Sequence, residues 1–167
     1  SAGADYALFQ KGYALGLLHR YPEKIQTMTQ INNLYPRSDY ADDALYETAR
    51  AHLQIEQNEA AIQTYNTLLK KYPNSNKAAK SALELGMAYR TLKQYDEAIH
   101  AFKNTIERYA GSEEAYAALE GLEQVYVENN KISDYLAYTK TLNKMNMKAA
   151  TSEDSLVYVT AELQYMM

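Results

Sequence analysis

The sequence repeats itself at a fixed step. "LYPRS" (34–38), "KYPNS" (71–75) and "RYAGS" (108–112) place Tyr35, Tyr72 and Tyr109, and likewise Ser38, Ser75 and Ser112, 37 residues apart. Four further segments, "HRYPEKI", "EQNEAAI", "KQYDEAI" and "NKISDYL", begin at 19, 56, 93 and 130 and close on Ile25, Ile62, Ile99 and Leu136. A small residue recurs at Ala4, Ala41, Ala78, Ala115 and Ser152, and another column reads Leu15, His52, Tyr89 and Tyr126. No insertion is needed to hold this register through four units. A period of this size restricts the chain to a repeat architecture, in which each unit is too small to bury its own apolar face and does so by stacking on its neighbours. The units are about 1–37, 38–74, 75–111 and 112–148, followed by a segment, 149–167, that reads as a fifth first helix or a cap; together they form a single array over 1–167.

Each unit holds two helical patterns. In the third, Ala78, Ala82, Leu85, Met87, Ala88, Tyr89 and Leu92 recur at roughly 3.6-residue spacing. "LKQYD" interrupts the pattern, and Ala98, Ile99, Phe102, Ile106 and Tyr109 resume it at spacings of three and four. Ser75 is placed to cap the first helix. Gly111 supplies a left-handed turn after the second. Pro36 and Pro73 stop the second helices of units one and two, because proline lacks the N–H a helix needs. The small residues Ala49 and Gly86 on first helices, and Ala61 and Ala98 on second helices, let helix axes approach closely. The fold class is therefore all-α, a solenoid of helix–turn–helix units. Gly and Pro number only 6 and 3 in 167 residues, which argues against a turn-rich β fold.

Composition narrows function by exclusion. The net charge is -4 and no stretch is strongly basic, which disfavours nucleic acid as a partner. No apolar run approaches the roughly 18 residues of a membrane span, and no leader segment is visible. The absence of Cys removes disulfides, thiol catalysis and Cys-based zinc sites. The three His residues (His19, His52 and His100) form no helical pair at ligand spacing, so no metal and no cofactor is expected. His52 stands in an aromatic packing column, while His19 and His100 are placed in or beside turns. Asp42–Asp43 and Glu113–Glu114 fall in the first turns of first helices, where the helix dipole accounts for them. Nothing points to an enzyme.

The columns Gly86, Tyr89, Ala98, Phe102 and Ala110 resemble the tetratricopeptide repeat signature: a small residue and an aromatic on the first helix, then Ala, an aromatic and a terminal Pro on the second. Unit two matches with Ala49, His52, Ala61, Tyr65 and Pro73. Unit one matches with Gly12, Leu15, Met28 and Pro36 but carries Lys24 where Ala is expected. Unit four is degenerate. The family's period is about 34; the extra residues here follow "YPNS", which predicts a first helix longer by about one turn. This long form resembles the bacterial envelope members of the family, such as the coordinator of the Tol–Pal system and the outer-membrane assembly lipoprotein. That likeness implies a right-handed α–α superhelix and favours the periplasm or cell envelope over the cytoplasm.

The resemblance also implies where a partner would bind. First helices line the concave side, so the groove-facing columns include Tyr6, Phe9 and Tyr13 in unit one, Tyr46, Arg50 and Leu53 in unit two, and Met87 and Arg90 in unit three. The Lys and Asn set that clamps a peptide's terminal carboxylate is absent from these columns. Two readings compete for the tyrosines. In one, they pack their rings against neighbouring helices and leave the hydroxyl wet; this is the reading for Tyr35, Tyr72, Tyr89 and Tyr109. In the other, since Tyr and Arg are enriched at interaction hot spots, Tyr6, Tyr13, Tyr46 and Arg50 form an anchor surface, with Tyr46 and Arg50 removable without loss of stability. The expected function is a non-catalytic scaffold that holds a protein or peptide in this groove. The alternative is a structural segment of a larger envelope protein, acting through self-association or packing on neighbouring domains. The apolar face of "SLVYVTAELQYMM", with Leu156, Val159, Leu163 and Met166, raises self-association through the C-terminal helix.

Overall fold

The computed structural model describes residues 3–144, and these form eight helices with no strand among the described residues. They are α1 (Ala4–Leu17), α2 (Tyr21–Leu34), α3 (Ala41–Gln54), α4 (Asn58–Lys71), α5 (Ala78–Thr91), α6 (Tyr95–Arg108), α7 (Glu113–Glu128) and α8 (Ile132–Lys144). The first helices α1, α3 and α5, and the second helices α2, α4 and α6, start 37 residues apart, and all six are 14 residues long. The C-terminal segment on which self-association was expected lies outside the described residues.

The turn inside each pair is set by the backbone. At the end of α3 the Gln57 N–H donates to the His52 carbonyl at 2.9 Å and the Glu56 N–H donates to Leu53 at 3.1 Å. This double closure is the Schellman motif, which requires a left-handed residue between its two donors. The same bonds recur at Arg20 to Leu15, Gln94 to Tyr89 and Lys131 to Tyr126. The left-handed residues are His19, Glu56, Lys93 and Asn130, at φ of 57°, 58°, 55° and 54°. None is glycine, and a side chain in this conformation costs about 1 kcal/mol or more. Lys93 is exposed, so Lys93→Gly is expected to raise folding stability by about 0.5 kcal/mol, the steric relief being partly offset by glycine's greater entropy when unfolded. Urea denaturation measures it; a lower midpoint would show that the turn is not strained.

The joint between pairs corrects two expectations. Ser75 does not cap α5. Its hydroxyl donates to Asp42 at 2.5 Å and accepts from the Lys77 N–H at 3.0 Å, while α5 begins later, at Ala78, with no side-chain cap. Ser38 does the same one unit earlier, donating to Asp5 at 2.6 Å. The residues beyond the common period therefore form a turn bonded back to the preceding first helix, not an extra helical turn. The third joint differs because Ala79 stands in the Asp5/Asp42 column. Ser112, without that acceptor, takes the Ala115 N–H at 3.1 Å and caps α7, which starts two residues early in the register and runs for 16. His100 lies within α6, exposed, not in or beside a turn.

Each helix packs on the next in the chain, and α5 packs on α7 as well. Phe102 explains this last contact. It is fully buried, and a Cβ built on Gly86 of α5 or Gly121 of α7 would lie 2.6 Å from its ring. The ring thus sits between two bare stretches of helix backbone. In the unit before, Tyr65 fills the Phe102 column, and Glu84 stands where unit four has Gly121. Ala49, Ala61 and Ala98 are fully buried at helix crossings, Gly12 and Gly86 are buried, and Tyr89 is half-buried against the core. Pro36 and Pro73 follow the ends of α2 and α4 by two residues. Lys24 fits the Ala61/Ala98 column by another route: its stem lies over Gly16, and its ammonium pairs with Glu47 of α3.

Candidate functional site

The first helices form the inner side at the third junction. There α5 packs on α7, with no comparable contact between α6 and α8 among the described residues; at the junction before it, α4, α5 and α6 leave a hollow of about 620 Å³. The expected groove residues separate into groups along this inner side. Tyr6 and Phe9 meet through Tyr40, whose ring lies 5.5 Å from Tyr6 and stacks on Phe9 at 5.2 Å. Tyr13 and Arg50 share a recess of about 310 Å³ with Leu17, Tyr21 and the buried Lys24–Glu47 pair. Met87 and Arg90 line a second recess with Glu128. Leu53 is half-buried against the core of the second and third pairs and does not line either recess.

Tyr46 departs most from expectation. It is 5% exposed, and its hydroxyl donates to Glu84 at 2.9 Å. Tyr65, fully buried on α4, donates to the other oxygen of the same carboxylate. Glu84 thus joins α3, α4 and α5. Burial, and then the adjacent Glu84 charge, hold both phenols well above the usual tyrosine range. Tyr46 is a structural contact between units, and its removal without loss of stability is no longer expected.

Electrostatics on the inner side are mostly satisfied internally. Arg90 bonds Glu128 at 3.0 Å and also meets Gln124. Lys77 lies 3.6 Å from Asp43 and 5.5 Å from the Tyr46 ring centroid, so Asp43, raised by burial, is partly drawn back down by that ammonium. Arg50 is different. Its guanidinium lies over the Tyr46 ring at 5.6 Å, and it makes no hydrogen bond or ion pair among the described residues. The exposed apolar side chains beside it are Tyr13 (50%) and Leu17 (68%); Tyr6 (48%) and Met87 (44%) extend the surface in either direction.

Two contributors were missed in the sequence. Tyr40 and Lys77 are 37 residues apart, and each covers groove residues of the unit before it: Tyr6 and Phe9, then Asp43 and Tyr46. The 37-residue register would have shown them as one column. Glu47 and Glu84 are a second such column, each bonding a second helix of the preceding unit. No group of three or more potential metal ligands occurs among the described residues, and none of their helices is long and apolar enough to cross a membrane.

The family model described as tetratricopeptide repeat matches residues 43–75 and 80–112, which span α3–α4 and α5–α6. No curated protein matches the sequence. Solved structures do. MamA from Desulfovibrio magneticus RS-1 is similar at 17% identity and a TM-score of 0.66, over 90% of this chain and 80% of that one. The Sgt2 TPR domain from Aspergillus fumigatus gives 21% and 0.59, over 89% and 85%. The nearly identical TPR-like repeats of a Podosopora anserina kinesin light chain give 14% and 0.65, over 96% and 88%. The chain therefore has the tetratricopeptide repeat fold, and its second and third helix pairs match that family in sequence as well.

Proposed function

We propose that the chain is a non-catalytic scaffold that binds a peptide or an extended protein segment along the inner side of its first helices. Tetratricopeptide arrays generally serve as protein-interaction scaffolds, and the observation that carries the reading for this chain is the Tyr13–Arg50 recess. It offers an exposed ring, an exposed Leu17 and a guanidinium with no hydrogen-bond or ion-pair partner among the described residues, while the nearby Glu47 is already taken by Lys24. Rigid helices hold these groups in place, so little ordering is needed on binding.

Selection of peptides from a random displayed library tests it. Peptides enriched on the wild-type chain are expected to bind a Tyr13→Ala/Arg50→Ala variant at least about tenfold more weakly, the loss typical of a hot-spot pair. Both residues are exposed, so the melting temperature should stay nearly unchanged. Enriched peptides that bind the variant equally well would remove the inner-face reading.

A further inference from the structure

The hollow between α4 and α6 is lined by α4, α5 and α6, further along the array than the Tyr13–Arg50 recess of α1, α2 and α3, and the repeat register shows what the hollow lacks. Its floor includes Ala82 and Ala101. The column of Ala82 otherwise holds Leu8, Leu45 and Leu119, and one unit on from Ala101 stands Tyr138. At the next junction the corresponding space is occupied by the chain itself. Leu119 is buried there, and the half-buried Tyr138 ring lies 4.6 Å from the Lys103 ammonium, its hydroxyl directed to Glu107 at 3.5 Å. Between α4 and α6 both positions are alanine, the second in a column that holds Thr27 and Thr64 before Ala101 and Tyr138 after it, and about 620 Å³ stands open.

The rim is electrically polarised. Asp96 and Glu97 stand at the N-terminal end of α6. Arg108 stands at its C-terminal end, with Lys70 of α4 in the place that Glu107 holds one unit later. The buried Tyr109 hydroxyl, which has no hydrogen-bond partner, lies at that basic end. An unsatisfied buried donor is costly and is relieved by an acceptor. From Asp96 to Arg108 the helix rises about 18 Å, the span of roughly five extended residues.

We propose that this hollow is a second peptide-binding site, which takes an extended segment carrying an aromatic side chain between a basic and an acidic residue. The ring fills the space that Tyr138 and Leu119 fill in the next unit. The acid meets Lys70, Arg108 and the Tyr109 hydroxyl, and the base meets Asp96 and Glu97. The site is independent of the Tyr13–Arg50 recess, because it is lined by α4, α5 and α6 and shares no residue with that recess.

The test uses the full chain and the peptide acetyl-Lys-Ala-Phe-Ala-Glu-amide, followed by amide chemical-shift titration. Saturable shifts are expected around Ala82 and Ala101. Replacing the peptide's Phe by Ala, or giving both its charged residues the same sign, should weaken binding about tenfold or more. Ala82→Leu fills the hollow with the residue used by the other units; it should abolish binding while the melting temperature holds or rises. Ala101→Tyr should do the same, and Ala82→Leu alone decides the matter if Ala101→Tyr fails to fold. Tyr13→Ala/Arg50→Ala should leave this binding unchanged, which separates the two sites. No saturation at millimolar peptide, or equal binding by Ala82→Leu or by the Phe-less peptide, overturns the proposal.

Discussion

Glu84→Ala is expected to destabilise the array by about 3 kcal/mol, and adding Tyr65→Phe to it should restore about half of that. The carboxylate accepts from Tyr46 and Tyr65, both buried, so its removal strands two hydroxyls at about 1–3 kcal/mol each. Tyr65→Phe removes one of the stranded groups and leaves a ring of the same shape. On its own, in the presence of Glu84, the same substitution removes a charge-assisted bond and should cost about 1–2 kcal/mol. The two changes together are thus milder than their sum. A double-mutant cycle by urea denaturation measures the coupling, and hydrogen exchange should place the lost protection in α3, α4 and α5. Additive effects would show that Glu84 is not the shared acceptor.

That linkage also shows what the sequence could and could not convey. Helix pairs and the small crossing residues follow from one register, because apolar spacing and Gly or Pro breakers are local signals. Which Tyr faces the groove is not local. Tyr46 and Tyr13 occupy neighbouring units in groove-facing columns, yet Tyr46 is buried and Tyr13 exposed, because Glu84 reaches Tyr46 from α5 and Lys77 and Arg50 cover its ring. Arg50 is a neighbour on the same helix, but Lys77 and Glu84 belong to the next unit and lie outside any local window centred on Tyr46. The serine joint was misread for a related reason. Ser38, Ser75 and Ser112 look alike in sequence, but Asp5 and Asp42 hold the first two hydroxyls, while Ala79 releases the third to cap a helix. The four left-handed turns share one register column, but their conformation was only weakly signalled: His19 and Asn130 are types that favour it, Glu56 and Lys93 are not, and the same backbone bonds hold all four.

Two first-helix glycines, in different columns of the repeat, let one substitution be set against itself. Gly121→Ala is expected to lower stability by about 2 kcal/mol, and Gly12→Ala to leave it nearly unchanged. Either change raises helix propensity by about 1 kcal/mol. A Cβ on Gly121 would lie 2.6 Å from Cζ of Phe102, a rigid ring already closed from the other side by Gly86. The ring has nowhere to move, so α5 and α7 must part and the overpacking outweighs the propensity. A Cβ on Gly12 would lie 2.7 Å from the terminal methyl of Met28, an unbranched chain that can swing aside. Phe102→Leu shortens the obstruction and should recover part of the Gly121→Ala loss, though not that of a variant destabilised elsewhere. Thermal or urea unfolding of the three variants decides it. If Gly121→Ala proves as stable as the wild type, close approach of α5 and α7 does not depend on a glycine at that crossing.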